Sequence, residues 1–140
     1  VIKYETFSTT ADVGIRVSGN GYTEFFQAAI RGLNLLYFSD PFEPVKSFPA
    51  SLVYPFEYEG DSLANILVNF LSEIVFLVQY KQQTIIDVDL HVINETHLSC
   101  SLLNIPSPGQ PELEIKSVTY HNLEVVEKDG ILSTEVIFDV

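Results

Sequence analysis

Three residues of this chain have the types and placement from which a polar site could be built: Asp12, Lys116 and Asp139. Asp12 stands in Thr9-Thr10-Ala11-Asp12-Val13-Gly14, where Gly14 lets another stretch of chain come close. Asp139 lies one residue before Val140, the last residue of the sequence. If the first and last strands are neighbours, Asp12, Asp139 and the carboxylate of Val140 gather hard oxygen donors in one place. Such a set suits Ca²⁺, Mg²⁺ or Mn²⁺. The alternative is a pair of solvated strand-end aspartates in an acid-rich chain, and spacing alone favours it. Lys116 stands in Glu114-Ile115-Lys116-Ser117-Val118-Thr119-Tyr120-His121, otherwise rich in β-branched and aromatic residues. An ammonium beside carboxylates serves as a local counter-charge, or it can be presented to a partner's phosphate.

Other chemistries find less support. Gly19-Asn20-Gly21 lacks the third glycine, the Lys and the Ser/Thr of a phosphate-cradling loop, and reads as a turn. Cys100 with His91, His97 and His121 has none of the close spacings of a zinc site. A Cys100 nucleophile with His121 as its base would require the two to meet across a sheet. A lone strand cysteine is more simply core filling.

The elements that must position these residues follow from periodicity. Residues 3–19 read as extended, and Val13, Ile15 and Val17 alternate with Asp12, Gly14, Arg16 and Ser18 at the period of a half-buried strand. Asp12 then shares the polar face with Arg16. A helix follows, with Phe26, Ala29, Ile30, Leu33, Leu36 and Tyr37 at steps of three and four, ending before Asp40-Pro41. Residues 42–59 carry Pro44, Pro49 and Pro55 and suit edge strands. Asp61 or Ser62 starts a second helix, whose broad stripe from Leu63 to Val78 must pack on a core, with its end near Lys81. Residues 85–93 and 97–104 form a hairpin about Asn94-Glu95-Thr96. After a proline-rich loop at 106–111, two last strands are expected at 114–126 and 131–140, joined by Lys128-Asp129-Gly130. This order predicts an α+β fold with two helices packed on a mostly antiparallel sheet.

Composition narrows the function classes. With 140 residues and 15.7 kDa the chain has the size of one domain, residues 1–140, and its 46% hydrophobic content can fill a core. Against 19 Asp plus Glu stand 7 Lys plus Arg, a formal net charge of -12. Direct nucleic-acid binding is disfavoured, because phosphate contacts need clustered cations; anionic membranes are disfavoured likewise. The longest apolar stretches are interrupted by Asn69, Ser72 and Glu73 and fall short of the ~18 residues of a membrane span. Lys3 and Glu5 break any signal-peptide shape at the start. A lone cysteine gives no internal disulfide. Together these predict a soluble cytoplasmic protein.

Over essentially its whole length the chain resembles the archease family. The resemblance rests on Tyr4 with Thr10-Ala11-Asp12-Val13-Gly14-Ile15, on Ile115-Lys116-Ser117-Val118-Thr119-Tyr120-His121, and on Val136-Ile137-Phe138-Asp139-Val140. The helix around Leu67-Val68-Asn69-Phe70-Leu71-Ser72-Glu73 is similar too, though less diagnostic. The resemblance implies an accessory protein, not a free-standing enzyme. It implies assistance to an RtcB-type RNA ligase in tRNA splicing and RNA repair, by promoting the ligase-guanylate intermediate and repeated turnover. It carries metal binding, calcium first with magnesium or manganese as alternatives, onto Asp12, Asp139 and Val140, and the functional lysine onto Lys116. With it the balance turns toward a real acidic site.

The chain departs from the family pattern at Thr9, where His is common, and at Asn69 and Phe70, where Asp and Trp are common. Two other functions stay open on the residues: a chaperone-like modulator of RNA-processing enzymes such as tRNA methyltransferases, suited by the many aromatic residues and the negative charge, and a small metal-dependent hydrolase built on Asp12, Asp139 and His121.

Overall fold

In chain order the elements are β1 (Lys3–Ser8), β2 (Val13–Asn20), α1 (Gly21–Phe38), β3 (Leu52–Glu59), α2 (Leu63–Lys81), β4 (Gln83–Ile93), β5 (His97–Pro106), β6 (Ser117–Val118), β7 (Val126–Lys128) and β8 (Ile131–Asp139). The computed structural model describes residues 1–43 and 52–140. The fold is α+β, as expected, but the strands form two antiparallel sheets and not one. A five-stranded sheet has the order β1-β2-β8-β6, with β7 also beside β8, and a three-stranded sheet has the order β3-β5-β4.

The stretch at 3–19 is a hairpin of two strands, β1 and β2, closed at residues 9–12. Alternation along β2 is as read: Ile15 and Val17 are buried and Arg16 is exposed, with Val136 and Thr134 opposite the two buried residues on β8. Helix α1 enters through Gly21, whose φ of 72° places it in the left-handed region that glycine tolerates. Its first turn has no capping side chain from Asn20; the Glu24 carboxylate accepts the Asn20 N–H at 2.9 Å instead. That bond, followed by the amino group of Val1, holds the Glu24 carboxyl below its ordinary range. At the far end Ser39, at φ 58°, donates its N–H to Leu35 O and stops the helix before Pro41.

Helix α2 starts on Ser62, whose hydroxyl accepts the Asn65 N–H at 3.0 Å. Ile66, Leu67, Phe70, Leu71, Ile74, Leu77 and Val78 are buried, as the stripe requires. One expectation is corrected here. Despite Asn69, Ser72 and Glu73, an 18-residue window of α2 has a mean hydropathy of 1.6 and is long enough to cross a membrane. Half of that window is buried inside the protein, so much of its apolar surface is already used by the core.

The core draws on both helices and both sheets. Phe70 sits at its centre, fully buried, edge-on to Phe26 of α1 at 4.8 Å and to Phe56 of β3 at 6.4 Å. Burying such a ring is worth about 1.5–3 kcal/mol. The 85–104 hairpin forms as read, and Asn94 Oδ1 accepts the N–H groups of Thr96 and His97 in its turn. Pro55 does lie on an edge strand, opposite Ser101; Pro44 and Pro49 fall outside the described residues.

The strand expected at 114–126 is broken. Of that stretch only β6 and the first residue of β7 pair with β8, towards its two ends. Between them the chain turns at residues 120–123, with Asn122 at φ 54° and Leu123 N–H on Tyr120 O. Backbone bonding runs one residue past β6, where the Thr119 N–H donates to Ile137 O at 3.1 Å and its Oγ1 to the same oxygen at 2.8 Å; beyond it Thr134 Oγ1 reaches Glu124 O at 2.8 Å.

Candidate functional site

The condition set by the spacing of the acidic residues is met by β2 and β8. Their ladder ends on Val13 opposite Phe138, and one step further the register sets Asp12 toward Asp139. Asp12 is half-buried, while Asp139 and Val140 are exposed. The loop before Asp12 is held by Thr9. Its hydroxyl accepts the Asp12 N–H at 2.9 Å and its own N–H donates to Asp12 O at 2.7 Å, a hydroxyl-closed turn. Thr9 therefore fixes the backbone from which Asp12 projects. Gly14 has the close approach its position suggested: a Cβ there would lie 2.3 Å from Val136 O and 2.5 Å from the ring of Phe7. Arg16 covers that ring at 4.3 Å and reaches Glu135 at 2.8 Å and Glu5 at 3.2 Å.

The Lys116 N–H donates to Asp139 O at 2.7 Å, so the third residue joins the same corner through its backbone. Its side chain is offered elsewhere. By strand alternation Asp12 and Asp139 continue the polar face of Gly14 and Arg16, whereas Lys116 lines a groove of about 420 Å³ between the segment 114–118 and the outer side of α2. Phe76, Gln79 and Tyr80 line the α2 side of that groove. Phe76 and Tyr80 stack on each other at 5.7 Å and are both exposed, with the Lys81 ammonium 5.8 Å from the Phe76 ring.

Gln79 is the joint of this arrangement. Its amide nitrogen donates to Ile115 O at 3.0 Å and its amide oxygen accepts the Ile115 N–H at 2.7 Å, so one side chain serves both backbone groups as a neighbouring strand would. The hydroxyl of buried Tyr37 donates to the same oxygen at 2.5 Å. Burial, and after it the Glu114 carboxylate, raise the Tyr37 phenol well above its ordinary range, so it stays a donor. Sequence reading placed Tyr37 only on the apolar side of α1 and passed over Gln79. The visible signal was slight: Phe76 and Tyr80 form an i, i+4 aromatic pair off the buried stripe.

Asp12, Asp139 and Val140 offer only oxygen, which suits a hard cation and not a soft one. Among the described residues no three His, Cys, Asp or Glu side chains come together as a metal-holding group, so two side-chain carboxylates are the most this corner supplies. Asn69 adds none to it: its amide donates to Asn65 O within its own helix. Phe70 is a core residue. The remaining candidates are dispersed. Cys100 is buried in β5 of the three-stranded sheet, and burial pushes its thiol up to about 12. His121 is exposed in the turn after β6, beside the other sheet, with Asn122 Nδ2 3.4 Å from its Nε2. Among the described residues Cys100 and His121 share no hydrogen bond, and burial keeps the thiol protonated. His91 bonds Ser101 at 2.8 Å and His97 bonds Glu57 at 3.0 Å, on the three-stranded sheet.

Comparison with known proteins agrees on one family. The model of the Archease protein family (MTH1598/TM1083) matches residues 4–140. A protein archease of Pyrococcus abyssi is 26% identical over 146 residues, covering 99% of each chain. One of Thermococcus kodakarensis is 26% identical over 129 residues, covering 88% of this chain and 87% of its own. Among solved structures, protein 1598 of Methanobacterium thermoautotrophicum superposes with a TM-score of 0.66 at 21% identity, over 98% of each chain. An archease of Thermotoga maritima, titled a possible chaperone, gives 0.59 at 19%, over 96% of this chain and 94% of that one.

Proposed function

Because the chain belongs to the archease family, we propose that it is an accessory protein of an RtcB-type RNA ligase, promoting ligase guanylylation and repeated turnover in tRNA splicing and RNA repair. It acts as a single domain, in the cytoplasm, and carries out no covalent step itself. The observation that supports this best is the meeting of three distant stretches at one corner: Asp12 set toward Asp139 by the β2–β8 register, and Lys116 bonded to Asp139 O.

Phosphoryl transfer depends chiefly on positioning and charge placement. Lys116, tied to the corner by its backbone and presenting its side chain at the adjoining groove beside α2, meets a phosphate of the nucleotide held by the ligase. Asp12 and Asp139, with Val140, would hold a divalent cation at the corner itself, calcium first and magnesium or manganese otherwise, which would supply positive charge against phosphate oxygens. Thr9 and Gly14 keep the Asp12 backbone in register while this happens. The net charge of -12 suits a basic ligase surface better than RNA.

The test is ligase guanylylation with wild-type protein and with Asp12→Ala, Lys116→Ala and Asp139→Ala, alongside calcium titration by calorimetry. Stimulation is expected to fall by at least about tenfold in each variant, in line with loss of a charge-assisted contact in the transition state, and calcium binding to weaken in the two aspartate variants alone. Full stimulation by all three variants overturns the proposal.

A further inference from the structure

From the bonding around Ile115 we infer that Gln79 is a positioning residue for Lys116: its amide, oriented by both backbone groups of Ile115 and braced by the Tyr37 hydroxyl, sets where the Lys116 ammonium is presented. The inference rests on the reading of Lys116 as the phosphate-facing group. Residues 114–116 do not belong to a strand. They would hang between β8 and α2 but for two anchors on adjacent residues. On one side the Lys116 N–H is bonded to Asp139 O; on the other, both backbone groups of Ile115 are bonded to Gln79. Ile115 itself is buried, which pins the same point from below.

The amide of Gln79 must have one orientation for this to work. Its oxygen has two donors, Ile115 N–H and Tyr37 O–H, and its nitrogen has one acceptor, Ile115 O. A flipped amide would set its N–H groups against the Ile115 N–H and its oxygen against Ile115 O and lose both of those bonds, while the Tyr37 hydroxyl, which accepts as well as donates, would serve either orientation. The fixed donor and acceptor of Ile115 select the orientation, and Tyr37, fully buried with its ring fixed in the core, braces the amide so selected. The consequence is a chain of contacts from core to site: Tyr37 on α1 braces the amide of α2, the amide holds Ile115, and Ile115 sets the rotation of the next residue, Lys116.

The test is a double-mutant cycle in the guanylylation assay at saturating accessory protein, using Gln79→Met, Lys116→Ala and the double variant. Gln79→Met keeps length and apolar stem while removing donor and acceptor. Amide exchange of Ile115 and thermal melts accompany it, and the assay is run well below the melting transition. Gln79→Met should speed exchange of the Ile115 amide at least about tenfold and lower maximal stimulation by a similar factor, with the half-saturating concentration unchanged. The double variant should be no worse than Lys116→Ala. Tyr37→Phe should show a smaller loss of the same kind. Unchanged Ile115 exchange, unchanged stimulation, or losses that multiply in the double variant each overturn the inference while leaving the role of Lys116 standing. If Lys116→Ala itself keeps full stimulation, the functional reading falls and takes the inference with it, and exchange at Ile115 still reports whether the clamp exists.

Discussion

The two sheets are held by different means. In the three-stranded sheet the ladder does the work: β3 and β4 pair with β5 along almost its whole length, with two bulges in β4, and Leu98, Cys100 and Leu102 send one face into the core. In the five-stranded sheet the pairing on one side of β8 is continuous and on the other it fails after two or three residues at each end. Side chains take over there, with Thr134 and Gln79 bonded to backbone groups that a strand would otherwise serve, and the Thr119 hydroxyl adding to its own N–H on Ile137 O. Regular pairing fixes every residue equally. Side-chain anchors fix chosen points and leave the residues between them free to face a partner, and Lys116 stands at one such point.

The comparison assumes that both sheets share one core, and Phe70 is where that is easiest to break. The ring touches α1 through Phe26 and the three-stranded sheet through Phe56, in a site with no exposure. Phe70→Ala should destabilise the protein by about 3–5 kcal/mol, the cost of a large buried cavity. Urea unfolding measures the loss. Amide exchange should rise together at Cys100 of β5 and Val136 of β8; a rise at Cys100 alone would mean that the two sheets unfold separately.

A smaller effect, confined to the five-stranded sheet, is expected at Gly14. The added Cβ of Gly14→Ala meets the Val136 carbonyl at 2.3 Å, and a backbone oxygen cannot swing aside as a side chain does. β2 and β8 must part locally, at a cost of about 1–3 kcal/mol. Amide shifts should concentrate from Val13 to Ile15 and at Val136 and Ile137, leaving β4 and β5 unmoved. Shifts spread evenly over both sheets would contradict the proposed division.

The same division explains what was legible beforehand. Helix α2 and the β4–β5 hairpin could be read because period and turn chemistry are local: the stripe from Leu63 to Val78 and the Asn94 turn each lie within a few residues. Ser62 as helix start and Pro55 on an edge were local as well. The strand at 114–126 was misread because its alternation of β-branched residues is genuine, while the Thr134 and Gln79 bonds that replace its ladder join residues 10 and 36 apart. The split into two sheets was hidden for the same reason, since strand order is not written in any one window. In the site, Asp12, Lys116 and Asp139 could be picked out by charge and motif. Tyr37 and Gln79, joined across 42 residues, look in sequence like an ordinary core tyrosine and an ordinary surface amide.

The smallest expected effect separates local anchoring from function at the corner. Thr9→Val keeps the shape of the side chain and removes the oxygen that accepts the Asp12 N–H at 2.9 Å and the Ala11 N–H at 3.3 Å. Both donors lie at an exposed turn, where water can replace the lost acceptor, so stability should fall by about 0.5–1.5 kcal/mol at most. The Thr9 N–H bond to Asp12 O remains, which keeps the hairpin closed. What changes is the freedom of the Asp12 backbone, and the check is the amide exchange of Asp12 against that of Val13. Faster exchange at Asp12 with Val13 unchanged is the pattern of a point anchor. Equal loosening of both would show the corner to be held by the β2–β8 ladder, as the three-stranded sheet is held by its own, and the contrast between the two sheets would not extend to Asp12.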